Sequence, residues 1–175
     1  MKGVVFTEFL DMVEDSFGDE IVDTMIDNCD LASGGAYTAV GTYDVAEMIA
    51  LVGELSQQSG DSVPDLLRVF GRHLFGRFSE LYPWLFEGVH DPLEFIVNVE
   101  GYIHVEVSKL YPDAELPSFE HTTNESGEVE LTYTSPRRLD TFAEGLILGA
   151  FDHFGHGQIL ESTPLGNGSR FRLGA

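Results

Sequence analysis

Cysteine and basic residues are both scarce in this chain. Cys29 is the only cysteine among 175 residues, so no intrachain disulfide and no multi-cysteine metal site can form, and a reducing compartment is compatible. Its neighbours Asp27 and Asp30 oppose thiolate formation, which reads as an inert thiol rather than a redox switch. Only 9 lysines and arginines face 30 acidic residues, for a formal charge of -21. Such a surface repels phosphate backbones and anionic membranes, so no nucleic-acid and no membrane partner is expected. The acidity itself accounts for solubility and names no function. Long apolar runs are missing too. The opening Met1-Lys2-Gly3-Val4-Val5-Phe6-Thr7-Glu8 turns acidic before a signal-like stretch develops, and no segment approaches the roughly 20 apolar residues of a membrane span. A soluble, cytoplasmic protein is the expectation.

What is present is enough apolar material for one core: 43% hydrophobic residues, with 13 Phe. The chain reads as a single domain of the α+β class. Phe6, Phe9, Leu10 and Val13, then Ile21, Met25 and Ile26, recur at helical spacing; 45–55 and 63–78 resume that period after a glycine-rich loop. Asp91-Pro92-Leu93-Glu94 has the marks of a helix start, with a capping acid, proline at the first position and an acid three residues after the cap. That predicts one unbroken helix over 91–110, ended by Tyr111-Pro112. The C-terminal third changes period. Residues 128–133 alternate as a half-buried strand, with a partner strand near 118–122; 139–154 is helical, and 158–163 and 169–173 flank Pro164-Leu165-Gly166-Asn167-Gly168 as a hairpin.

Two groups of residues carry candidate chemistry. His104 falls on the helix from Asp91, one turn after Gly101, with Val97 and Val107 on the same expected face. Neutral imidazole is an effective axial ligand for haem iron, and a glycine on that face would let a flat macrocycle press close. A lone histidine on an apolar face is more often a core residue bonded to a backbone or carboxylate group. The second group is Tyr133-Thr134-Ser135-Pro136-Arg137. The strand period puts Tyr133 and Ser135 on one face, and Arg137 reaches the same side just past the strand's end. Two hydroxyls and a guanidinium suit carboxylates, although a polar strand edge would look the same.

Together, His104, Pro117 thirteen residues on and the Tyr-x-Ser-x-Arg run sixteen residues after that resemble the haem nitric-oxide/oxygen-binding (H-NOX) family, related to the sensor domain of soluble guanylate cyclase. The opening Met1-Lys2-Gly3 and the order of elements extend the resemblance over essentially the whole chain. It implies an H-NOX-like fold: an N-terminal helical subdomain over 1–60 and a haem-ligating subdomain with the sheet over 61–175. It implies haem b (iron protoporphyrin IX) as cofactor, with His104 as the iron ligand, Tyr133, Ser135 and Arg137 on the propionates, and Pro117 packed against the porphyrin. Gly101 is the expected point of close approach.

The resemblance also bears on which gas is sensed. Oxygen on iron draws negative charge, so a fixed donor beside it stabilises that ligand far more than nitric oxide. Oxygen-binding relatives use a distal tyrosine; this sequence has Phe142 there. The other positions that match the distal wall are Val5, Phe9, Leu74, Phe78 and Leu146, none a strong donor. Their apolar character also fits plain core packing. Losing a charge-assisted hydrogen bond of ~1.5–3 kcal/mol weakens binding by about one to two decades. The resemblance thus implies a nitric oxide sensor, also binding carbon monoxide, that excludes oxygen. Nitric oxide would weaken the bond between iron and His104 and free its helix. The implied protein partner is a histidine kinase or a diguanylate cyclase, and no enzymatic activity is expected of this chain.

Two rival readings stand beside this one. His153 and His156, with Asp152, form a candidate divalent-metal pair for a hydrolase, and equally a solvated pair at a helix end. A cofactor-free adaptor is the other. Both would purify colourless, whereas a haem protein absorbs in the Soret region.

Overall fold

Among the described residues, three of the seven α-helices begin at a side-chain cap. In the computed structural model, which describes residues 1–174, α1 (Gly3–Phe17) and α2 (Asp19–Asn28) are followed by α3 (Val45–Ser59), whose Ala46 amide is capped by Asp44. Ser62 caps α4 (Val63–Leu81), and Asp91 caps α5 (Pro92–Val97) by accepting from Glu94 N at 2.9 Å. A short 3-10 turn, Pro83–Phe86, joins α4 to the segment before α5. After α6 (His104–Leu110) come β1 (Ser118–Thr123), β2 (Val129–Thr134), α7 (Asp140–Phe154), β3 (Gln158–Leu165) and β4 (Gly168–Gly174). The α+β class expected from the sequence is the one observed, helices first and a small sheet with α7 in the C-terminal third. Among the described residues no helix is long and apolar enough to cross a membrane.

The expected single helix over 91–110 is corrected. Between α5 and α6 the backbone widens into a π segment, Val99–Ile103, in which Ile103 N reaches Asn98 O at 3.3 Å and His104 N donates to Val99 O, each five residues back. The Asn98 side chain bonds Glu94 O at 2.9 Å, and its backbone amide is shared between the Glu94 and Phe95 carbonyls, so the α ladder ends there. The β-branched Val97, Val99 and Ile103 crowd a normal α turn, and a wider turn accommodates them.

The four strands form one antiparallel sheet in the order β1-β2-β4-β3. On β2, Val129, Leu131 and Tyr133 are buried and alternate with more exposed partners, as a period of two requires. Two apolar cores result. One joins α1 to α4 through Phe6, Phe9, Met25, Leu51, Leu55 and Phe70. The other joins α5, α7 and the sheet through Phe95, Ile96, Leu131, Ile147 and Phe171. Leu146 packs against both. Helices α4 and α7 cross closely because Gly145 lacks a β-carbon; one there would stand 2.2 Å from Arg68 O.

Candidate functional site

A cavity of about 510 Å3 lies between the two cores, within the 300–1,000 Å3 usual for small-molecule and cofactor sites. Its walls are largely apolar. On one side stand Val99, Ile103, His104 and Val107; on the other, Val5, Leu74, Phe78, Phe142 and Leu146; Pro117, Phe119, Leu131 and Tyr133 complete it. Lys2, Ser135 and Arg137 stand at its polar end, beside the N-terminal ammonium of Met1.

His104 is half-buried, with Nδ1 3.1 Å from Glu100 Oε2 and its ring 5.6 Å from that of Phe119. Burial pushes its pKa below the usual imidazole value, partly opposed by Glu100. Burial thus favours the neutral ring, the form that binds a metal. Tyr133 and Ser135 are each 4% exposed, consistent with their sharing the inner face of β2 and its continuation. Burial raises the Tyr133 pKa, while a hydrogen bond with Ser135 pulls it back. Arg137 curls back because its amide donates to Ser135 Oγ at 3.2 Å. Its guanidinium is held by Glu115, through the backbone oxygen and Oε2, both at 2.6 Å. The Met1 ammonium donates to Tyr43 O at 2.7 Å, and its pKa falls through burial first and then the nearby Arg137 charge. Lys2, Arg137 and the Met1 ammonium thus line the cavity together with Asp44, Asp113 and Glu115, Lys2 being paired with Asp113 and Arg137 with Glu115, so a carboxylated ligand would bind there by exchanging with those acids.

Two expected wall residues stand elsewhere. Phe9 is fully buried and packs edge-on against Phe70 at 5.0 Å, while Phe70 in turn meets Phe142 at 5.2 Å. It is therefore a layer behind the wall, because α1 faces the cavity only over its first turn. Gly101 is exposed, and a β-carbon there would meet nothing within 4 Å. The π segment rotates it, and turns Val97 into the second core, so the cavity face reads Val99, Ile103, His104 and Val107. His73 also lies off the wall; its Nε2 is buried and has no hydrogen-bond partner among the described residues.

Sequence reasoning missed Tyr82 and Tyr111, both on the wall, with their hydroxyls 3.0 Å apart. Burial and this mutual bond raise the Tyr82 pKa well above the ordinary phenol value. Both end a helix immediately before proline, at Tyr82-Pro83 and Tyr111-Pro112, and that shared pattern was the available signal. Glu100 was missed as well, although its position four residues before His104 puts both side chains on one helix face.

The rival metal pair does not converge. His153 stacks among Phe75, Phe86 and Phe154, whereas His156 Nε2 turns to Asp91 Oδ2 at 3.2 Å. Among the described residues no group of three or more His, Cys, Asp or Glu side chains is arranged to hold a metal ion.

The family model described as Haem-NO-binding matches residues 2–159 of this chain. Among solved structures, the Fe(II) unliganded H-NOX protein from K. algicida is 40% identical, covering 99% of this chain and 95% of that one, with a TM-score of 0.92. The H-NOX from Shewanella woodyi, solved with IWP-051 bound in the Fe(II)CO ligation state, is 38% identical, covering 99% and 93%, with a TM-score of 0.84. An H-NOX protein from S. oneidensis in the Fe(II)NO ligation state is 26% identical, covering 99% and 97%, with a TM-score of 0.88. No match is found among curated proteins. A family match over nearly the whole length, a shared architecture and a cavity whose imidazole and polar end suit an iron porphyrin carry one conclusion: this chain belongs to the H-NOX family of haem-based gas-sensor domains.

Proposed function

We propose that this chain is a haem b sensor of nitric oxide that excludes oxygen and regulates a separate signalling enzyme in the cytoplasm. One observation carries the reading: a half-buried imidazole, the buried Tyr133 and Ser135, and the partly exposed Arg137 all border the same apolar cavity. Haem held there, with His104 on its iron, would supply a metal able to bind a diatomic gas. Tyr133, Ser135 and Arg137 bind its carboxylates, Arg137 exchanging or sharing its contact with Glu115, and Pro117 packs against the macrocycle. Val5, Leu74, Phe78, Phe142 and Leu146 present no hydrogen-bond donor, which favours nitric oxide over oxygen. The relatives solved with nitric oxide and with carbon monoxide support both gases as ligands.

If His104 were released by the iron, α6 would be free to move and the subdomain over 1–60 could shift against the rest. The contacts at stake join the two: Lys2 Nζ and Thr42 Oγ1 hold Asp113, at 3.1 and 2.6 Å, on the connection from α6 to β1. Such a shift signals only through a partner that prefers one state. We assign that role to a histidine kinase or a diguanylate cyclase, with no catalysis by this chain.

The test is an absorption titration of the reduced protein. Carbon monoxide and nitric oxide each shift the Soret band, nitric oxide with loss of the histidine ligand, and air produces no stable oxygenated spectrum. A long-lived oxygenated spectrum in air defeats the selectivity claim. His104→Gly abolishes normal ligation until imidazole is added; a native spectrum in that variant points to another ligand.

A further inference from the structure

Glu100 Oε2 accepts from two directions at once: Phe119 N on β1 at 3.1 Å, and His104 Nδ1, also at 3.1 Å. A carboxylate has no proton to give, so the imidazole proton sits on Nδ1 and the free lone pair is left on Nε2, the ring nitrogen farther from the helix. Phe119 pairs with Tyr133 across β1 and β2, so the same carboxylate oxygen ties the imidazole to the register of the strand that carries the propionate clamp. Glu100 lies in the π segment Val99–Ile103, four residues before His104, and so reaches both the imidazole and β1. Phe119 also packs its ring on both His104 and Tyr133, at 5.6 and 5.5 Å.

We propose that Glu100 is a positioning residue for the iron ligand: its carboxylate sets the tautomer and orientation of His104, strengthens the donor on Nε2, and couples the ring to β1. This rests on His104 being the haem ligand. An anionic acceptor on Nδ1–H makes the imidazole a stronger electron donor, so it strengthens the bond to iron and favours the ferric over the ferrous state. It would thereby make the bond from His104 to iron harder to break when a gas binds. Movement of His104 away from the iron either breaks the bond to Phe119 or drags the edge strand with it.

The haem-loaded protein tests this in three variants: Glu100→Leu, Glu100→Gln and His104→Gly. Resonance Raman reads the iron-histidine stretch of the reduced protein, a redox titration reads the potential, and NMR of the diamagnetic carbonyl form reads exchange of the His104 Nδ1 proton. Glu100→Leu lowers the stretch, raises the potential, speeds Nδ1 proton exchange and weakens haem retention by about tenfold or more. Glu100→Gln, which keeps an acceptor without the charge, falls between it and the parent, and keeps the question answerable if the leucine variant folds poorly. An unchanged stretch and potential in both variants overturns the proposal and leaves Glu100 as a mere staple between helix and strand. A separate result, an unchanged iron-histidine stretch in His104→Gly, overturns the ligand assignment itself.

Discussion

In the proposed sensor, gas selectivity turns on Phe142. Its ring leans on Phe70 at 5.2 Å and lines the cavity on the wall facing His104. Phe142→Tyr adds a hydroxyl to that wall at almost constant shape. A charge-assisted bond of ~1.5–3 kcal/mol to polarised oxygen should raise oxygen affinity by about 10- to 100-fold, with a smaller effect on carbon monoxide. Gas titrations of the reduced variant measure this, and equal gains for both gases would show that the hydroxyl merely reshapes the wall. At this scale the sequence was an uneven guide. Tyr133 and Ser135 were legible because a strand's period of two is rigid, and both are buried as that period requires. Phe9 and Gly101 were misplaced because a helical face is legible only while the helix stays regular and its neighbours are known. Phe70 stands between Phe9 and the cavity wall, and a π segment turns Gly101 outward.

Among the elements, two junctions hold the cavity's walls in place, and each makes its own prediction. The first is the crossing of α4 and α7, where a β-carbon at Gly145 would meet Arg68 O at 2.2 Å. Gly145→Ala forces the helices apart at a cost of about 1–3 kcal/mol, which for a chain of this size lowers Tm by about 2–4 °C per kcal/mol. Thermal unfolding followed by circular dichroism checks it; an unchanged Tm would mean that the crossing relaxes freely. The second is the cap of α5, where Asp91 Oδ1 binds Glu94 N and Oδ2 faces His156 Nε2. The bond to Asp91 raises the His156 pKa, with the Phe154 carbonyl helping. Asp91 is lowered, chiefly by the Glu94 amide and less by His156. A raised histidine gives its stabilisation in full below its unfolded pKa and loses it as pH rises through the folded value. A lowered aspartate gives its share above its unfolded pKa and loses it as pH falls through the folded value. The pair therefore steadies the cap in weakly acidic solution, weakly because it is exposed and screened. Asp91→Asn, which keeps a good cap, should return the His156 midpoint in an NMR titration toward its ordinary value. An unmoved midpoint would place the cause elsewhere. The cap itself was legible in Asp91-Pro92-Leu93-Glu94, whereas the π segment was not, since β-branched residues at 97, 99 and 103 carry no periodic signature of a five-residue bond.

At the scale of the whole molecule, the order of helices and strands was legible from periodicity and capping signals, apart from the break within 91–110, but the way two cores enclose a cavity was not. That enclosure depends on contacts far apart in sequence, such as Arg68 against Gly145 and Lys2 against Asp113. The cavity of about 510 Å3 is walled by residues from both cores, so whatever fills it contributes to the cohesion of both. A ligand that binds only the folded chain stabilises it by RT ln(1 + [L]/Kd), about 4.1 kcal/mol at a thousandfold excess over Kd. With Tm moving about 2–4 °C per kcal/mol, extraction of haem should lower Tm by about 8–16 °C. The loss should also be uneven. Phe6, Met25, Leu51 and Leu55 close the first core without touching the cavity, whereas Val99, His104, Val107 and Phe119 face it directly. Amide exchange after extraction should therefore accelerate first in the π segment, α6 and β1, and last in α3. Uniform acceleration, or an unchanged Tm, would mean that the second core holds its shape without the macrocycle. His104 would then stand on a preformed wall, and its release would have no slack structure to set in motion.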